Sequence, residues 1–211
     1  MDTTTEPTDA PEFPAEGYPS EEIPWQTGTW THPPLTSTVT DRGLTVTARE
    51  GSDAWRLTSY GFINDSEHGL VAPFAPGQGM EVTFRADFTQ QFDQAGLFLR
   101  ASRERWVKAG VEFADGALQI GGVVTDGCSD WSVAPVPDWN SQEITIRMSR
   151  SGGALTVRAR SGREPWRLVR VAPLPDDLDV SAGPYVCAPS RAGLEVTFTS
   201  WRLTAPDARL H

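Results

Sequence analysis

The chain has 211 residues, a formal net charge of −10 and 38% hydrophobic residues, eight of them Trp. That is ample apolar material for one packed domain, and so acidic a chain lacks the basic surface that nucleic acids require. No apolar run approaches the ~20 residues of a membrane span. The opening MDTTTEPTDA lacks both parts of a secretory signal, so the expected location is cytoplasmic.

Residues 1–22 hold Asp2, Glu6, Asp9, Glu12, Glu16, Glu21 and Glu22, four prolines and almost no aliphatics, and they are expected to form a disordered acidic tail. Residues 23–205 are read as one domain and 206–211 as a C-terminal tail. From Gly43 onward, period-two pieces such as LTVTA, MEVTFRADF, QAGLFLRA, ITIRMSR, ALTVRAR and LEVTFTSW predict half-buried antiparallel strands. Turn signals at Arg42-Gly43, Asp115-Gly116, Gly152-Gly153 and Pro175-Asp176 separate them. The fold class is therefore all-β, a sandwich of two antiparallel sheets with roughly a dozen strands. Cys128 and Cys187 are too few for a disulfide framework or a metal site and are expected to be buried free thiols.

The middle of the chain permits a finer reading. Asp115-Gly116 is a two-residue hairpin signal that sets Ala114 opposite Ala117. Counting outward pairs Val111 with Ile120 and Phe113 with Leu118 on the core face. The other face pairs Glu112 with Gln119, Gly110 with Gly121, Lys108 with Val123 and Trp106 with Thr125. A short turn near Arg103 would then set Arg100 against Trp106, Phe98 against Lys108, Gly96 against Gly110 and Gln94 against Glu112. A two-residue slip would oppose Arg100 to Lys108, which like charges disfavour. Three aligned glycines thus make a trough that admits a ligand or a side chain of the protein itself.

Of 18 lysine and arginine residues only Lys108 is a lysine. In a chain that uses arginine everywhere else, its survival marks a position where a compact ammonium on a flexible stem is needed. Lys108 and Glu112 stand about 13 Å apart along one strand. Each then needs another partner: Asp93 or Asp130 for Lys108 and an arginine for Glu112, or a ligand that uses both.

The runs WRLTSYGFINDSEHG (55–69), FDQAGLFLR (92–100), WVKAGVEF (106–113), the stretch from Val123 to Ser132, and GLEVTF (193–198) resemble the regulation of enolase protein family. That family is a domain of unknown function in the concanavalin A-like lectin/glucanase superfamily. The resemblance covers about Trp25 to Leu203 and implies a jelly-roll sandwich whose concave sheet carries the shared polar and aromatic residues. It adds Tyr60, His68, Asp93 and Trp131 to the residues reached by counting. Ser59 stands where many relatives have His, which weakens any mechanism built on a histidine pair with His68.

The expected function is a non-catalytic sandwich that binds a carbohydrate or small polar metabolite on its concave sheet, with a regulatory role in carbon metabolism suggested by the family's name. The ligand-binding candidates are Trp106, Lys108, Glu112, Gln94, Gln119, Arg100, Asp93, Trp131, Tyr60 and His68, with no catalytic residue, cofactor or metal assigned. The polar stretch Asn64–His68 offers oxygen donors, but its spacing matches no EF-hand loop and reads as a turn. One alternative is a carbohydrate-active enzyme using Glu112 and Lys108. A retaining hydrolase needs two carboxyl groups about 5 Å apart, and WVKAGVEF supplies one. A lyase related to the alginate lyases through Lys108-Ala109-Gly110 would lack its histidine at Gly121. A protein-interaction module is the other alternative.

Overall fold

The structure, a computed structural model, describes residues 20–210. In chain order the strands are β1 (Ser20–Glu22), β2 (Thr29–Trp30), β3 (Thr36–Thr40), β4 (Gly43–Thr47), β5 (Ala54–Arg56), β6 (Ile63–Asp65), β7 (His68–Pro73), β8 (Gln78–Arg85), β9 (Gln94–Arg100), β10 (Arg105–Ala114), β11 (Ala117–Asp126), β12 (Cys128–Pro135), β13 (Ile144–Ser151), β14 (Ala154–Ser161), β15 (Arg167–Pro173), β16 (Ser181–Cys187) and β17 (Glu195–Thr204). The surplus over a dozen comes from short pieces such as β1, β2, β5 and β6. No helix among the described residues is long and apolar enough to cross a membrane.

Two antiparallel sheets face each other in the concanavalin A-like manner. One runs β15-β14-β13-β8-β17-β4-β3 with β1 beside β17, and the other β12-β11-β10-β9-β16-β7-β2. Their inner faces close one core in which Val82, Phe84, Ile146, Leu97, Val111 and Val196 are fully buried. Alternation alone would turn either Phe198 or Trp201 outward, since they are three residues apart. A bulge between Phe198 and Ser200 re-phases β17 against β8, and both rings reach the core.

The hairpin register read from the sequence is the observed one. Asp115 and Gly116 adopt φ of 54° and 80°, as a two-residue turn of the primed type requires, and β10 pairs with β11 from Ala114↔Ala117 through Trp106↔Thr125. Strand β9 joins in the predicted register, Arg100↔Trp106 through Gln94↔Glu112. Gly152 and Gly153, at φ of 61° and 72°, make the corresponding turn between β13 and β14.

The boundary of the expected N-terminal tail needs correction. Residues 1–19 and His211 lie outside the described residues, but Ser20–Glu22 form β1 on β17, with Glu22 paired to Arg202. Backbone pairing and an ion pair order three residues that composition had assigned to the tail. At the other end, Arg147 points away from the core on the outer face of its sheet, where Glu81 pairs with its guanidinium at 2.9 Å. Asp207 covers it, bonding Arg147 Nε and Arg158 Nε at 2.8 Å each, while Ala205 and Leu210 carbonyls accept from the same two arginines. Residues 205–210 are therefore a strap fastened by buried charge rather than a loose end. The two thiols are unpaired, but only Cys187 is buried; Cys128, in an edge strand, is exposed.

Candidate functional site

The outer face of the second sheet carries a second apolar cluster of Phe98, Trp106, Val123, Tyr185 and Cys187, covered by Ala54 and Trp55. The covering residues belong to the β5–β6 hairpin, which lies across the sheet. It is tied down by the Arg56 amide donating to Ser129 Oγ at 2.9 Å and by Arg56 Nε donating to the Gly127 carbonyl at 3.1 Å. Its connecting loop holds Leu57, Ser59 and Gly61 at φ of 62°, 60° and 73°. Two of these are side-chain-bearing residues in the left-handed region, a conformation that costs of order 1 kcal/mol each. The strained loop places Tyr60 and Phe62 at the surface, stacked on each other at 5.4 Å, with Tyr60 edge-on to Trp55 at 5.6 Å. Trp131 of β12 meets Trp55 from the other side at 6.4 Å.

Beneath this aromatic rim lies a cavity of about 290 Å³ lined by Asp53, Trp55, Tyr60, Phe62, Asn64, Phe92, Gln94, Lys108, Glu112, Trp131 and Pro189. Its walls are largely apolar and its polar groups converge at the floor. Lys108 Nζ donates to Asp53 Oδ1 at 2.8 Å, and Gln94 Nε2 lies 3.4 Å from the same oxygen and 3.2 Å from the Phe92 carbonyl. With the amide turned that way, Gln94 Oε1 has no donor, and Glu112 Oε1 has none either, though both atoms are shielded from solvent. Two buried acceptors without partners mark this floor as unfinished.

The charges follow from that geometry. Burial disfavours the Lys108 ammonium, but Asp53, Cys187 and Glu112 outweigh it and hold the group above the usual lysine value. Glu112 goes the other way: burial pushes its carboxyl up, Lys108 pulls it back, and Asp53 and Asp115 push it up again, to about 7. The cavity thus holds one ion pair and one carboxyl that keeps its proton to near neutrality.

Of the candidates read from the sequence, Lys108, Glu112, Gln94, Trp131 and Tyr60 line this cavity, and five do not. Trp106 is 2% exposed and packs on Phe98 with ring centres 5.7 Å apart. Arg100 holds Glu67 and Asp65 through its two terminal nitrogens, at 2.8 and 3.2 Å. Asp93 accepts the backbone N–H groups of Thr89 and Gln90 and binds Arg191, which fixes the turn before β9. Gln119 donates to the Ala114 carbonyl. His68 is buried, takes the Arg49 amide on Nε2 and bonds the His32 carbonyl through Nδ1, and burial lowers its pKa, so it is a neutral structural ring.

The partner expected for Lys108 also changes: it is Asp53, whereas Asp130 pairs with Arg170. The glycine row is as counted, but no ligand floor results. Tyr185 of β16 stands opposite Gly96, and with Lys108 and Trp131 it leaves only about 10 Å³ over Gly110 and Gly121. His32, Asp65 and Glu67 bring donor atoms within 4.8 Å of one another, yet the Arg100 guanidinium already bonds both carboxylates.

Sequence reasoning missed Asp53, Trp55, Phe62, Asn64, Phe92 and Pro189 as site residues. The aromatic density of Trp55, Tyr60 and Phe62 was a usable signal for two of them. Asp53 carried none, because its place depends on how the β5–β6 hairpin folds over the sheet.

The family profile described as a protein of unknown function, DUF1349, matches residues 30–206. "Regulation of enolase protein 1" of Saccharomyces cerevisiae is 37% identical over 179 residues, spanning 85% of this chain and 90% of that protein. A crystal structure of a functionally unknown protein from the same yeast superposes with a TM-score of 0.82 at 35% identity, over 88% of this chain and all of the other. A xylan β-1,4-xylosidase from Bacillus halodurans superposes at 0.64 with 16% identity, covering 93% of this chain and 41% of that enzyme, a likeness of fold alone.

Proposed function

Because this chain belongs to the DUF1349 family of proteins of unknown function, we propose its role from the cavity itself: a non-catalytic site for a carbohydrate of about one sugar ring. The observation that carries this reading is an aromatic-walled pocket that gathers Asp53, Lys108, Gln94 and Glu112, with Glu112 Oε1 and Gln94 Oε1 enclosed and without donors. A pyranose supplies both complements, an apolar face for Trp131 or Tyr60 and hydroxyl donors for the floor. A volume of about 290 Å³ is near the lower end, roughly 300 Å³, of small-molecule pockets. The name of the yeast relative supports a regulatory use of such binding in carbon metabolism.

A thermal-shift screen against neutral sugars, amino sugars, uronates and sugar phosphates tests the proposal. A ligand at a hundredfold its Kd adds about 2.7 kcal/mol, which raises the midpoint by about 5–10 °C for a domain of this size. The expected result is a rise with at least one sugar that disappears in a folded Trp131→Ala variant. Silence across the whole panel would overturn the reading and leave a protein partner at the exposed hairpin.

A second reading, hydrolysis, is favoured by one observation: Asp53 and Glu112 share the cavity in unlike environments, one paired with an ammonium and the other protonated to near pH 7. Release of reducing ends from an oligosaccharide, lost in both Asp53→Asn and Glu112→Gln, would establish it.

A further inference from the structure

The ion balance of the cavity says which sugars its floor can accept. Lys108 is the single cation among the lining residues, although the chain carries seventeen arginines, and its charge is engaged by Asp53 at 2.8 Å. Against it stand two carboxyl groups, so with Glu112 ionised the cavity has a net charge of −1. An anionic ligand would meet that surplus without a free cation to receive it, which counts against uronates and phosphorylated sugars.

The donor inventory points the same way. Gln94 spends its amide N–H groups on Asp53 and Phe92, which leaves its oxygen unpartnered, as Glu112 Oε1 is; Gln94 and Glu112 are directly opposed on β9 and β10. Two opposed acceptors, one of them ionisable, are completed most fully by a group with several donors and a positive charge. An ammonium has three donors and no acceptor. The rim adds aromatic faces, to which a cation is drawn by the ring quadrupole.

Building on the proposed sugar site, we infer that the cavity selects a sugar bearing a free amino group, whose ammonium donates to Glu112 Oε1 and Gln94 Oε1 while the ring lies against the aromatic rim. Lys108 takes no direct part in ligand binding in this arrangement. It neutralises Asp53 and leaves Glu112 as the one carboxylate available to the ligand.

The test is isothermal titration of the full chain at pH 7, where Glu112 is about half ionised and most of an amino sugar still carries its ammonium, with glucosamine, galactosamine and mannosamine, each beside its neutral parent hexose and its N-acetyl derivative. The expected result is that at least one amine binds tenfold or more tighter than both its parent and its N-acetyl form, and that this preference vanishes in Glu112→Gln. Gln94→Leu should weaken the same amine while leaving a cooperative unfolding transition, which separates loss of a ligand contact from loss of the fold. Equal or tighter binding of the neutral parents would overturn the amino preference and leave the sugar site standing. Tighter binding of the N-acetyl forms would overturn it in the same way. Binding of none of the nine compounds would overturn the inference together with the reading on which it rests.

Discussion

Asp53→Asn is expected to lower the stability of the protein by about 3 kcal/mol, the low end of the range for removing one partner of a buried ion pair. The substitution keeps the side chain's shape and its oxygen toward the Ala54 amide, and removes only the charge that Lys108 faces. The ammonium, with a side chain 4% exposed, is then left with Glu112 as its remaining carboxylate. Pairing Asp53→Asn with Lys108→Met should return most of the loss, because an ion pair replaced by neutral groups of similar volume is often close to neutral in stability. Urea unfolding of the two single variants and the double variant measures the coupling. A double variant that is no more stable than the additive sum of the singles would mean that the 2.8 Å contact contributes nothing to the fold.

Glu112→Gln should act in the opposite direction, and only at high pH. In the folded protein this carboxyl is held at about 7, against 4.5 for an ordinary glutamate. Between those values the folded state keeps a proton that the unfolded chain has released, so stability falls as the pH rises through that window. Above pH 7 the folded protein carries a buried carboxylate at a cost of about 3 kcal/mol, from roughly 1.4 kcal/mol per pK unit. The glutamine variant has no such charge. Its advantage over the wild type should be small at pH 4.5, grow through neutrality and level off near 2–3 kcal/mol by pH 8. Unfolding curves for the two proteins that stay parallel from pH 4.5 to 8 would show that Glu112 is not buried as described.

Much of the scaffold under this site could be read from local pattern. Asp115-Gly116 set a register that then ran correctly across β9, β10 and β11, because a two-residue turn leaves no slack and period two does the rest. The same count places Gln94 opposite Glu112. The same reasoning overreached wherever a side chain's fate depended on what covered it. Trp106 and Phe98 were on the expected face, but Trp55 and Tyr185 roof them over, and nothing periodic in residues 54–65 announces that roof. Arg100 enters the candidate set by counting along β9, and Asp93 and His68 by the family resemblance. Each instead meets a buried need of the backbone or of another charge.

The isolation of Lys108 in composition did point to the site, though for a different reason from the one expected. Its role is to reach Asp53 from a crowded strand, where a compact ammonium fits between Phe98 and Val123 in the paired rows. A related limit applies at the two ends of the domain. Composition reports that residues 20–22 and 206–210 have little to bury, but not that β17, Arg147 and Arg158 leave hydrogen bonds and charges for them to satisfy.

That single lysine also provides the most direct measurement. Protein grown with ¹⁵N-lysine gives one backbone amide signal, that of Lys108, in the wall of the cavity. On titration with any sugar that raises the thermal midpoint, this signal should move in a saturable way, and in Glu112→Gln an amino sugar should need at least a tenfold higher concentration to move it. A sugar that binds the wild type by calorimetry while the Lys108 signal stays in place would contradict the account, because the ligand would then lie somewhere else on the molecule.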